Sequence, residues 1–102
     1  MRMDDEPADR RRAVSAAVRR FPQFELAIHR LMDRSEGFQD MCEELAEAEL
    51  ALSRIDKVPP ALRESRRAEW QELVDRLVGE VGAVLHDAAR KPHVIPWPPR
   101  QN

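Results

Sequence analysis

The chain has 102 residues, 42% hydrophobic and 35% charged, a balance too apolar for a disordered chain and too polar for a thick core. With 3 Gly, no Tyr, 3 Phe and 2 Trp it lacks the turn glycines and aromatic alternation of a β-sandwich, and it has neither a Gly-rich phosphate loop nor room for several βαβ units. The 17 basic and 19 acidic residues leave a net charge of −2, which excludes a global field drawing the molecule to nucleic acid or an anionic membrane, and the fold class that remains is all-α.

In chain order, residues 1–8 read as a flexible polar lead. Asp9 is placed to cap a first helix over 9–20, whose narrow apolar stripe is Ala13, Val14, Ala17 and Val18. Phe21-Pro22 interrupts it, because a residue before Pro is pushed out of the α region and Pro suits the first turn of a new helix. A second helix is expected over 22–33, with Phe24, Leu26, Ala27, Ile28, Leu31 and Met32 on its buried side.

Ser35 is the next N-cap, followed by Glu36 in the first turn. From there Phe38, Met41, Leu45, Ala48, Leu52 and Ile55 recur at steps of three and four, predicting a helix over 36–56 that Pro59-Pro60 terminates. A long helix over 60–90 repeats the spacing in Trp70, Val74, Leu77, Val81, Val84 and Ala88, broadened by Leu73, Val78 and Leu85. Two such stripes joined by a short loop describe an antiparallel helical hairpin. At ~1.5 Å per residue the second arm is roughly 45 Å long against roughly 30 Å for the first, so its excess is covered either by the N-terminal helices or by a second copy. Gly79 and Gly82 interrupt the long helix, for either close contact or a bend. Residues 91–102, with Pro92, Pro96, Pro98 and Pro99, form an extended Pro-rich tail. The domain plan is thus a lead, one helical domain over 9–90, and a tail.

Candidate chemistry is sparse. No Glu-x-x-His, Cys-x-x-Cys or His-Glu-x-x-His motif occurs, and the Glu25/His29 pair stands without a repeat. Cys42 lies on the apolar shoulder of the third helix, where a thiol is a small buried hydrophobe with a raised pKa. Ser15, Ser53 and Ser65 have no neighbouring His. No catalytic residue, metal ligand or cofactor is therefore expected, and only an assembly of distant His29, Cys42 and His86 leaves room for one. The lone cysteine suits a reducing cytoplasm, the first residues lack the apolar stretch of a secretory signal, and no apolar run reaches the ~20 residues of a membrane span.

Two surfaces suggest partners. Arg10, Arg11, Arg12, Arg19 and Arg20 share one short helix with no acid after Asp9, a phosphate-gripping arrangement. Glu36, Asp40, Glu43, Glu44, Glu47 and Glu49 load the third helix with acid, and two opposite blocks in one chain more often satisfy each other. In the tail, Ile95, Pro96, Trp97, Pro98 and Pro99 either dock into an aromatic-lined groove of a protein partner or cover the end of the long helix. The resulting expectation is a non-enzymatic protein-interaction or regulatory module, dimeric because one chain of this size leaves apolar area bare. The alternative is a nucleic-acid-associated protein using the Arg-rich helix.

The stretch carrying Ile28, Leu31, Phe38, Met41-Cys42, Glu44 and Glu47-Ala48 resembles short all-helical bacterial proteins of unknown function, in which Ile-x-x-Leu precedes a Phe-x-x-Leu-Cys step and an acidic, Ala-rich helix. The resemblance covers about residues 21–52 and has Leu45 where an aromatic Tyr is expected. It implies a helical fold and no activity.

Overall fold

Ser35 separates two consecutive helices. Its backbone is extended, with φ −126° and ψ 109°, and its Oγ accepts from the Phe38 amide at 3.1 Å, a cap worth about 1 kcal/mol. The Gln39 side-chain amide donates back to the Met32 carbonyl, tying the two helix ends together. The computed structural model describes residues 8–90, which form four α-helices and no strand. These are α1 (Ala8–Arg20), α2 (Glu25–Arg34), α3 (Glu36–Ser53) and α4 (Pro60–Arg90), with 3₁₀ turns at Pro22–Phe24 and Ile55–Lys57. Most of the expected 1–8 lead and the whole 91–102 tail lie outside the described residues.

α3 is the centre of the molecule, packing most extensively on α4 and then on α1, while α2 bridges them. Two apolar clusters follow from this arrangement. One joins Ala13 and Ala17 of α1, Ile28 and Met32 of α2, Phe38 and Cys42 of α3, and Val81 and Leu85 of α4. The other joins Ala16, Leu45, Ala48, Val74 and Leu77. Advancing along α3 from Phe38 to Ala48 meets α4 in the reverse order, from Leu85 to Val74, so the two long helices run antiparallel.

Several local expectations are corrected. α1 begins at Ala8, so Asp9 is not the cap but sits in the first turn, where its carboxylate favours the helix dipole and pairs with Arg12 at 3.0 Å. The face α1 buries is Ala13, Ala16 and Ala17, with Val14 and Val18 only half-buried. The Phe21 backbone (φ −133°, ψ 61°) leaves the helical region before Pro22, and the second helix is two pieces, a 3₁₀ turn and α2, that meet at Phe24 (φ −112°, ψ 24°). Leu26 faces solvent, 63% exposed. α3 stops at Ser53 rather than 56, and Ile55 belongs to the following 3₁₀ turn. Ala88 is exposed, and Leu85 rather than Val84 enters the core.

The turn into α4 is closed by Arg63. Its Nη2 donates to the carbonyls of Asp56 and Val58, both at 2.9 Å, and its Nε reaches Val58 at 3.2 Å. Backbone acceptors in the Ile55–Val58 turn are thereby satisfied by one side chain. The two helix glycines separate in role. A Cβ on Gly82 would lie 3.1 Å from Phe21 Cζ, whereas one on Gly79 would meet nothing within 4 Å. Gly82 therefore exists to seat the Phe21 ring. Gly79→Ala is expected to raise unfolding free energy by about 1 kcal/mol through helix propensity. Gly82→Ala should gain nothing or lose stability, since crowding a packed site costs about 1–3 kcal/mol. Equal gains in urea unfolding would contradict the Phe21 contact.

Candidate functional site

The five arginines of α1 do not form one open face. Arg10 reaches Asp33 on α2, and Arg12 pairs with Asp9 within α1. Arg19 Nη2 and Arg20 Nε grip the two oxygens of Glu49 on α3 at 2.8 and 2.6 Å, and Arg19 also donates to Ser15 Oγ at 2.9 Å. The Glu49 side chain is only 17% exposed, so this fork lies at the edge of the α1–α3 contact and pins the end of α1 where Phe21 turns onto Gly82. Charge-assisted pairs of this kind are shorter and stronger than neutral ones. Of the acidic block, Glu49 forms ion pairs with the basic helix. Glu43 and Glu47 line a pocket with Asp9 and Arg12 between α1 and α3, and Glu36, Asp40 and Glu44 are exposed.

Arg11 lines a groove of about 410 Å³ between α1 and α2, floored by Val14 and Val18 and walled on the far side by Glu25 and His29. His29 Nε2 lies 3.9 Å from Glu25 Oε2, with both side chains more than half exposed. That pair is a surface contact.

The thiol and the histidines occupy three different settings. Cys42 is fully buried, and desolvation, with Glu43 adding repulsion, pushes its pKa up to about 12. A thiol so placed stays protonated and unreactive at neutral pH. His86 donates from Nδ1 to the Gly82 carbonyl at 3.0 Å and meets the Phe24 ring edge-on at 5.1 Å. Among the described residues no group of three or more His, Cys, Asp or Glu side chains converges to hold a metal ion, and no helix is long and apolar enough to cross a membrane. Ile95, Pro96, Trp97, Pro98 and Pro99 lie outside the described residues.

The start of α4 is the part whose exposure has no local sign in the sequence. Leu62 is 46% exposed and Ala61 and Ser65 to Glu69 are exposed, whereas Trp70, Leu73 and Val84 are half-buried at the rim of the core clusters. The 31 residues of α4 outrun the 18 of α3, and among the described residues its first turns are tied to the preceding turn through Arg63. The signal was present as the mismatch in helix length.

No family model, curated protein or solved structure matches the chain.

Removing the Glu49 carboxylate tests the fork. Glu49→Ala is expected to lower unfolding free energy by about 1–2 kcal/mol, because two charge-assisted hydrogen bonds are lost at a site with little solvent access. Asp9→Ala, which removes an exposed pair, should cost less than about 0.5 kcal/mol. Equal effects in chemical denaturation would show that the fork does not hold α1 to α3.

Proposed function

We propose that the chain is a non-enzymatic protein-interaction module that works as a dimer. The observation that carries this reading is the unmatched length of α4. Its 31 residues outrun the 18 of α3, and among the described residues Leu62, near its start, is an exposed large hydrophobic. Apolar side chains on an uncovered helix face are the ordinary mark of a contact surface. The arginine pairs support a protein partner over nucleic acid, since Arg10, Arg19 and Arg20 are engaged by carboxylates of α2 and α3. Phosphates binding there would have to displace those partners. The Ile95 to Pro99 segment is a second proposed contact, for a groove lined by aromatic side chains. A cytoplasmic setting fits the single buried cysteine, which needs no oxidising compartment.

Sedimentation velocity at high micromolar concentration tests the reading, run with and without duplex DNA at physiological salt. The expected result is a dimer whose mass DNA does not change. A monomer that binds DNA with an affinity falling steeply in salt, and loses it when Arg11, Arg12 and Arg19 are reversed in charge, would overturn it in favour of phosphate binding.

A further inference from the structure

One flank of α4 carries a pattern that is complementary to itself. Leu62, Leu73 and Val84 recur at intervals of 11 residues. A repeat of 11 corresponds to about 3.67 residues per turn, close to that of a straight α-helix, so the three stay in line along roughly 33 Å. At about 100° per residue, Arg66 and Glu80 fall in the same narrow arc, and Glu69 and Arg76 lie along its edge. Gly82, where Phe21 packs, lies about 180° from Leu73 on this wheel. Leu73 and Val84 each pack one side against the core clusters and, half-buried, keep the other side outward.

Turning a second α4 antiparallel about a two-fold axis at Leu73 sets residue 73 + k against residue 73 − k. Leu73 then meets its own copy and Leu62 meets Val84. Arg66 meets Glu80, and Glu69 comes within one residue of Arg76. The three apolar residues of the stripe thus meet apolar ones and Arg66 meets Glu80, while Trp70, beside the stripe, falls opposite the Arg76 stem. The side chains of Arg66, Glu69, Arg76 and Glu80 are 49%, 63%, 64% and 51% exposed, free to reach across. Within one chain they make only short-range pairs, Arg66–Glu69 at 3.1 Å and Arg76–Glu80 at 4.0 Å, which an exposed helix surface holds weakly.

We infer that this stripe is the seat of a second copy of the chain, paired antiparallel through α4 about Leu73. The inference rests on the self-association proposed above and names its face. A two-fold contact is isologous, so self-complementarity is what such a face requires. A strip one helix wide lies at the low end of interface size, and dissociation on the order of micromolar follows.

Charge exchange tests it. Arg66→Glu and Glu80→Arg should each weaken the dimer on the order of tenfold, because every interface contains the altered pair twice. The double variant should return to within about threefold of the original, a margin set by changes at other rim charges. Rescue cannot come from within a chain, since positions 66 and 80 are about 21 Å apart along α4 and neither intrahelical pair is restored. Leu73→Cys, made with the buried Cys42 retained, should form a disulfide-linked dimer on mild oxidation, while Gln71→Cys, exposed on another side of α4, should not. Circular dichroism establishes that each variant is folded. A monomer by sedimentation overturns both this face and the self-association reading. A dimer without rescue, or with equal cross-linking at positions 71 and 73, overturns the face alone.

Discussion

The molecule depends on one helix being packed from two sides by different means. On its α4 side, α3 supplies Phe38, Cys42, Leu45 and Ala48 to Val74, Leu77, Val81 and Leu85, a contact of branched and aromatic side chains with ample area to bury. On the other side α1 offers only Ala13, Ala16 and Ala17 as fully buried residues. Each alanine removes far less apolar surface than a leucine, at about 0.8 kcal/mol per CH₂. Small side chains let the helices approach closely but leave the attachment weak in area. The Arg19–Glu49–Arg20 fork and the Phe21 ring on Gly82 sit at one end of this thin contact, and Arg10 with Asp33 ties its other end to α2. The basic block is understandable as the fastening of a helix with too little hydrophobic surface to hold itself.

That account separates what was legible in the sequence from what was not. The all-α class, the Ser35 cap and the break at Phe21-Pro22 follow from periodicity and backbone chemistry and stand in the structure, as do the inner parts of the two stripes, Phe38, Leu45 and Ala48 of α3 and Val74, Leu77 and Val81 of α4. Ala16 was invisible because an alanine face has no hydropathy contrast with its surroundings. Leu26 was misplaced because a 10-residue helix rich in apolar residues does not identify which side is inner; only its neighbours decide. The pairing of α1 with Glu49, some 30 residues away, and the reason for Gly82 are tertiary facts with no local sign. The length mismatch between α3 and α4 was readable, whereas Leu73 and Val84 have no local sign that each would be only half-buried at the rim of the core.

Function follows from what the fold leaves over. The nucleophile is sealed in the core as a protonated thiol, His86 is held by the Gly82 carbonyl, and three arginines of α1 are engaged by α2 and α3. What is offered outward is a long helix with apolar residues at even spacing and alternating charges between them. Such a surface discriminates by register: a slide of a few residues along α4 would set like charges and charged-on-apolar positions against each other, the principle by which paired helices select partner and alignment.

The claim at the centre of this account is that a second copy covers α4. The concentration dependence of the melting temperature measures it most directly, because a partner that binds only the folded chain stabilises it by mass action. Across a hundredfold range spanning the micromolar, the melting temperature should climb by several degrees, about 4–8 °C for each kcal/mol in a domain of this size. A melting temperature that does not move over that range would contradict it.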